Sequence, residues 1–275
     1  MLKAIQIQHD SRMERALTLA KRAGFEYVSI GFGSSSVFHN DGWESEILRI
    51  RALLADLGLK CALTHLPYHN LTVNSDVTDK AMDEAIKRAI RATSMLGADR
   101  TAHHTRTYYP SVGVADNIKS KADNISLIRE LIPVAREVGV ILGLENLPFF
   151  EKYPLYPHTP DDLMDLFCEL DDPNLGICWD FGHGLMSGND QSTALRRIGK
   201  NLKLTHIHDN FKNDDQHLIP GIGVTDWGEL MPILREIGYD GPMMLELVYP
   251  DDSTLEAFMK HSYASISRLE ELMGE

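Results

Sequence analysis

Eight short apolar runs recur along this 275-residue chain, and each of the last six closes on a histidine or a carboxylate. His65 follows Cys61-Ala62-Leu63-Thr64, His104 follows Arg100-Thr101-Ala102-His103, and Glu145 follows Val140-Ile141-Leu142-Gly143-Leu144. Asp180 follows Gly176-Ile177-Cys178-Trp179, His206 follows Leu202-Lys203-Leu204-Thr205, and Glu246 follows Met243-Met244-Leu245. A core strand has no use for a carboxylate at its end, since a buried charge without a partner is costly. A barrel enzyme does, because its active site is assembled from the C-terminal ends of its strands.

Between the runs a local unit repeats. Ala23-Gly24-Phe25, Leu57-Gly58-Leu59, Leu96-Gly97-Ala98, Val138-Gly139-Val140 and Ile237-Gly238-Tyr239 each read as a helix stop followed by entry into extended chain. Strands are expected near 4–8, 27–30, 60–64, 100–104, 140–145, 175–180, 202–206 and 243–248. Helices are expected near 11–23, 43–57, 79–96, 117–138, 160–170, 192–199, 227–237 and 253–273. Eight strands alternating with eight helices predict an α/β fold, a single (β/α)8 TIM barrel over residues 1–275, with a metal site at the C-terminal ends of the strands. An open doubly wound sheet is the fallback, and no Gly-x-Gly-x-x-Gly follows the first strand to support it.

The bulk numbers agree. A 30.9 kDa chain that is 43% hydrophobic can bury a core of that size. Three cysteines without a Cys-x-x-Cys pair argue against a disulfide framework. With no signal-peptide pattern and no long apolar window, they predict a cytoplasmic protein without a membrane partner. The net charge of −13 argues against a nucleic-acid partner.

The strand-end set of Glu145, Asp180, His206 and Glu246 offers three carboxylates and an imidazole, which suits Mn, Mg, Co or Zn. The plainer alternative is a buried hydrogen-bond network without metal. His65, His69, His103, His104, His183, His206, His208 and His217 also lie beside predicted strand ends. Singly, each is more often a core histidine; as a group they suggest a site. His103 and His104 should face opposite sides of a regular strand, and His104, which closes the run, is the one expected in the site. Arg106, Lys203 and Lys212 could meet a phosphate or sugar oxygen; Lys212 is the best placed, in the loop after the His206 strand. The aromatic loop Phe149 to Pro157 reads equally as a substrate lid or as a packed surface loop. Pro220 to Trp227 reads as a turn into a helix capped by Asp226, or as a loop closing on substrate. No Gly-x-Ser-x-Gly, P-loop or His-Glu-x-x-His is present.

Thr64-His65-Leu66-Pro67-Tyr68-His69-Asn70-Leu71, Leu144-Glu145-Asn146, Asp180-Phe181-Gly182-His183, His206-Ile207-His208-Asp209-Asn210, Asp215-Gln216-His217-Leu218, Gly221-Ile222-Gly223 with Asp226-Trp227, and Leu245-Glu246 occur in that order. This series resembles the xylose isomerase-like TIM-barrel superfamily of sugar phosphate isomerases and epimerases, ketose 3-epimerases and endonuclease IV-type enzymes. In the epimerase branch, the resemblance implies one divalent ion held at Glu145, Asp180, His206 and Glu246. The two glutamates would exchange a proton with the substrate carbon through an enediolate, and His183 would touch the sugar. In the endonuclease IV branch it implies three zinc ions, with His65, His104, His183, Asp215 and His217 as further ligands. The loop before Asp215 is shorter here than in that branch. The resulting expectation is a metal-dependent isomerase or epimerase of a small sugar, sugar phosphate or polyol. Glu145 and Glu246 would be catalytic, and His65, His183, Lys212 and Asn146 would bind substrate. The alternative is a multi-zinc phosphodiesterase or AP endonuclease-like hydrolase. Homodimers are common in the resembling group.

Overall fold

The computed structural model describes residues 1–33, 36–74, 79–111 and 114–274; parts of the loops beginning at Pro67 and Thr105 lie outside them. Eight parallel strands close into a barrel: Lys3–Gln8, Tyr27–Gly31, Lys60–His65, Arg100–His103, Ile141–Glu145, Leu175–Asp180, Leu202–Ile207 and Met243–Leu245, the first pairing with the last. The outer ring contains helices α1 (Met13–Ala23), α2 (Trp43–Leu57), α3 (Lys80–Met95), α4 (Asn117–Val138) and α5 (Pro160–Leu170). It continues with the short α6 (Phe181–Met186), then α7 (Gln191–Ile198), α8 (Trp227–Glu236) and α9 (Leu255–Leu272). This is the expected (β/α)8 architecture.

The chain folds this way for local reasons. The five glycines expected to stop helices, Gly24, Gly58, Gly97, Gly139 and Gly238, all take positive φ. Asp79, Asp116, Thr159, Asp190 and Asp226 cap the starts of α3, α4, α5, α7 and α8 through side-chain oxygens. The main core lies between the sheet and the helices, around Ile5, Ile30, Ile86, Ile128, Trp179 and Leu234. A smaller cluster of Ala4, Ala62, Leu63, Ala102, Cys178, Leu204 and Met244 forms a second buried apolar group.

The structure differs from expectation in a few places. The last strand ends at Leu245, so Glu246 stands just beyond it, although its N–H still bonds Ile207 O at 3.1 Å. Helix α6 follows Asp180 directly, and Asp180 caps it by accepting from His183 N–H. Phe149–Phe150 and Tyr153–Pro154 form a small hairpin, and Thr72–Val73 pairs with Thr107–Tyr108. Among the described residues no helix is long and apolar enough to cross a membrane.

Candidate metal centre

A parallel barrel aligns strand ends that are far apart in sequence. Asp180 pairs directly with His206, and Cys178 with Glu145. His206 Nδ1 consequently lies 2.9 Å from Glu145 Oε1, 3.0 Å from Glu246 Oε2 and 3.8 Å from Asp180 Oδ2. Three carboxylates therefore surround one ring nitrogen at the top of the barrel. Glu145, Asp180 and His206 are fully buried, and Glu246 is 13% exposed. Each of the four offers one ligand atom within 4.8 Å of the others.

Two further groups flank this centre. On one side His65 and His104 face Glu145 Oε2 at 3.6 and 3.1 Å. On the other, Asp215 Oδ2 lies 3.3 Å from His183 Nε2 and 3.2 Å from His217 Nε2. His208 joins this second group: its ring stacks on His217 with centroids 3.8 Å apart, and its Nε2 lies 3.0 Å from Asp180 Oδ1. Gly182 makes room for that ring, since a Cβ there would fall 1.9 Å from His208 Cε1.

The imidazole tautomers show why these groups suit cations. His65 Nδ1 lies 2.9 Å from Leu66 O, His183 Nδ1 2.8 Å from Asn146 O, and His217 Nδ1 2.8 Å from Glu246 O. A carbonyl only accepts, so each Nδ1 carries the hydrogen. The Nε2 of each neutral ring is then a bare lone pair, and all three point at other lone pairs or at carboxylates. His65 Nε2 stands 3.1 Å from His104 Nε2. Glu145 Oε2 and Asp215 Oδ1 are buried without a hydrogen-bond partner. Such an arrangement needs protons or a metal ion between the donors. Backbone-anchored imidazoles beside carboxylates form the usual outer support of a metal site. The donor sets therefore fit divalent ions.

Without metal, protons fill the gap. Burial alone would push His206 and His183 down, but neighbouring Glu145 and Glu246 for the first, and Asp180 and Asp215 for the second, raise both well above the usual imidazole range. His217 is raised to about 9, Asp215 and Glu246 outweighing its burial. Burial would raise Glu145 and Glu246, yet His206 with His104, and His206 with His217, hold them well below the usual carboxylate range. Cys178, beside His206, is pushed up to about 12 by burial and stays a thiol.

A cavity of about 280 Å³ opens onto the centre, lined by Gln6, Gln8, His65, Tyr68, His104, Pro148, His183, Asp215, His217, Glu246 and Val248, among others. His104 faces the cluster, as expected, while His103 is fully buried and burial pushes it down to about 3. Three of the expected residues lie away from the cavity wall. Asn146 is fully buried: its amide donates to Asp180 O at 2.9 Å and accepts from Asp180 N at 2.7 Å, so it holds the backbone of Asp180. Lys212 is exposed and also absent from the wall, its backbone fixed at φ 68° with its N–H on Asn210 Oδ1. Of the two glutamates only Glu246 borders the cavity, because Glu145 is enclosed by imidazoles.

Two loops gain a plainer role. No residue from Phe149 to Pro157 lines the cavity, although Pro148 just before it does; Tyr156 is buried and bonded to Thr105 and Thr107. The buried Asp209 carboxylate accepts from Gly221 N, Thr225 N, Thr225 Oγ1 and Trp227 Nε1, and pins the turn into α8. Gln6 carries no role in the sequence reading, and His208 enters it only as one of the histidines beside strand ends. Their signals are an amide in the middle of an apolar strand and a second histidine two residues beyond His206.

The sequence profile of the xylose isomerase-like TIM barrel family matches residues 17–267. The uncharacterized protein MJ1311 of Methanocaldococcus jannaschii is 31% identical over 188 residues, 67% of this chain and 63% of that protein. A D-psicose 3-epimerase of Enterocloster bolteae is 29% identical over 156 residues, 56% of this chain and 50% of that enzyme. These matches thus span less than two thirds of either relative. A crystal structure of D-psicose 3-epimerase in the presence of D-fructose superposes with a TM-score of 0.78 over 100% of both chains at 16% identity, a likeness of fold.

Proposed function

The chain belongs to the xylose isomerase-like TIM-barrel family, and on that premise we propose that it is a divalent-metal-dependent isomerase or epimerase of a small sugar or polyol. The observation that carries this reading is the convergence of Glu145, Asp180, Glu246 and His206 on one point beside a cavity sized for a small molecule. The epimerase relative adds support. No Lys or Arg lines the cavity among the described residues, and none occurs at the positions outside them. That favours an uncharged sugar over its phosphate.

Glu145, Asp180, His206 and Glu246 would hold the ion, Mn, Mg, Co or Zn. The metal would supply Lewis-acid polarisation of a carbonyl. Glu246, the glutamate on the cavity wall, would take the proton from the carbon next to that carbonyl, the electron pair moving onto the carbonyl oxygen to give an enediolate. For an isomerisation it would return the proton to the neighbouring carbon on the same face; for an epimerisation Glu145 would deliver a proton to the opposite face of the carbon that Glu246 deprotonates, and the two glutamates would exchange roles in the reverse direction. His65 and His183 would orient the sugar hydroxyls from opposite sides.

The test is exchange of a substrate carbon-bound proton with D₂O. The Mn²⁺-loaded protein, incubated with D-psicose, D-fructose and D-tagatose, is expected to incorporate deuterium, and Glu246→Gln is expected to abolish it. Undiminished exchange in that variant would sink the proton-transfer role.

The two flanking clusters favour a second reading, a multi-zinc phosphodiester hydrolase that clamps a phosphate between ions. Two or three Zn per chain, with cleavage of phosphodiesters or abasic DNA and no sugar exchange, would establish it instead.

A further inference from the structure

Gln6 occupies the middle of the first strand, Lys-Ala-Ile-Gln-Ile-Gln, and is only 4% exposed. A buried primary amide is costly unless its hydrogen bonds are made. One of them is made to a functional side chain: Gln6 Nε2 donates to Glu246 Oε1 at 2.8 Å. A carboxylate only accepts, so this contact fixes the amide orientation and turns Gln6 Oε1 the other way. That oxygen is buried and has no partner. Gln6 also lines the cavity that Glu246 borders.

The surroundings keep the amide there. Tyr249 Oη donates to Gln6 O at 2.6 Å, and Gln6 pairs with Ser29 in the second strand. Beside it, Gly31 leaves space: a Cβ at that position would lie 3.1 Å from Gln6 Cδ and 2.7 Å from Gln8 Oε1. The backbone of Glu246 is held at both ends, its N–H on Ile207 O and its carbonyl accepting from His217. The terminal torsion of a glutamate is broad and two-fold, so the backbone alone does not decide which oxygen faces the ligand cluster. With Oε1 on Gln6, it is Oε2 that faces His206 Nδ1 at 3.0 Å.

We infer that Gln6 is a positioning residue for Glu246: its N–H holds one carboxylate oxygen at the cavity wall while the other stays with the ligand cluster, and its unpaired carbonyl oxygen accepts a hydroxyl of the substrate. The inference rests on the isomerase or epimerase reading above. It assigns to the first strand a part in specificity for polyhydroxylated substrates. A substrate lacking a donor at that place would leave the amide oxygen buried and unpaired, which is how polar pockets reject such analogues.

Two variants test it in the full-length, Mn²⁺-loaded protein. Gln6→Met keeps the length and removes both hydrogen-bonding groups; Gln6→Glu keeps the shape and replaces the donor with an acceptor. With D-psicose and D-fructose as probes, both should lower kcat by about 10- to 100-fold, the scale typical of lost support behind a metal ligand. KM should rise in Gln6→Met, while Mn content per chain and circular dichroism match the wild type. Wild-type kcat and KM in Gln6→Met would overturn the proposal. So would loss of Mn in step with activity, which would make Gln6 a support of the metal site only. If the wild type turns over neither sugar, the isomerase reading fails and the positioning role is read from carboxylate bands. In protein carrying ¹³C-glutamate, the infrared difference on adding Mn²⁺ should shift between wild type and Gln6→Met; identical spectra would overturn it.

Discussion

Asn146 and Asp180 form a reciprocal clamp: the Asn146 amide donates to Asp180 O at 2.9 Å and accepts from Asp180 N at 2.7 Å. Asn146 follows the fifth strand and Asp180 ends the sixth, so the clamp joins two ligand-bearing strand ends where regular pairing has stopped. It leaves the Asp180 carboxylate free to cap α6 and to receive His208.

Breaking this clamp should weaken metal binding without unfolding the barrel. Asn146→Ala removes two hydrogen bonds to a buried backbone, and Mn²⁺ affinity should fall about 10- to 100-fold, as for other outer-shell losses. Titration calorimetry checks it; unchanged affinity would mean that the neighbouring strands alone hold Asp180.

Metal uptake near neutrality should release protons. His217 is raised to about 9 in the metal-free protein, and the carboxylates around His183 and His206 raise both well above the usual imidazole range, which favours the protonated rings. Ligand imidazoles must shed a proton to bind. The calorimetric heat of Zn²⁺ binding should therefore scale with the ionisation enthalpy of the buffer, and affinity should climb as pH rises towards 9. Buffer-independent heats would mean that these histidines are not ligands.

The same shifts set the alkaline stability of the metal-free protein. For His217 the folded value is about 9 against an ordinary 6.5. Its contribution is full below pH 6.5 and fades as pH climbs through about 9. Tm of chelator-treated protein should fall across that window, and Tm of the metal-loaded protein should fall less. Parallel curves would show that the ion and the protons do not share a site.

Asp209 should matter for stability. Its fully buried carboxylate accepts from Gly221, Thr225 and Trp227, so Asp209→Ala strands several donors at once. A loss of about 3–5 kcal/mol is expected, from the cost of breaking a buried charged network. In a chain of this size that corresponds to a Tm drop of roughly 10 °C. Gly223→Ala should act on the same turn, since its Cβ would meet Asp209 Oδ1 and Asn210 O at 2.4 Å. A Tm within about 2 °C of the wild type for Asp209→Ala would rule out an anchoring role.

The barrel was legible in the sequence because its signals are local. Periodic apolar runs, a glycine after each of five helices and the Asp226 cap before α8 depend on neighbours in the chain. The expected bounds of α2, α4 and α5 match those observed. Helix α6 escaped because it is only six residues long, Phe181–Met186, and begins within Asp180-Phe181-Gly182-His183, which the motif reading treated as a strand end. Strand-end acids and histidines were equally legible, since a charge closing an apolar run is itself a local anomaly.

What the sequence determined, then, was the order of the elements and the chemical identity of the rim. Which rim residues face one another was decided by closure of the barrel, which sets Asp180 beside His206 and brings Gln6 from the first strand to Glu246 after the last. Closure also separates the near-equivalents: His104 meets Glu145 while His103 is fully buried, and Asn146 turns to Asp180 rather than the cavity. A pairing across 240 positions leaves no periodicity in the chain, because it depends on strand register and barrel curvature that exist only once all eight strands are joined.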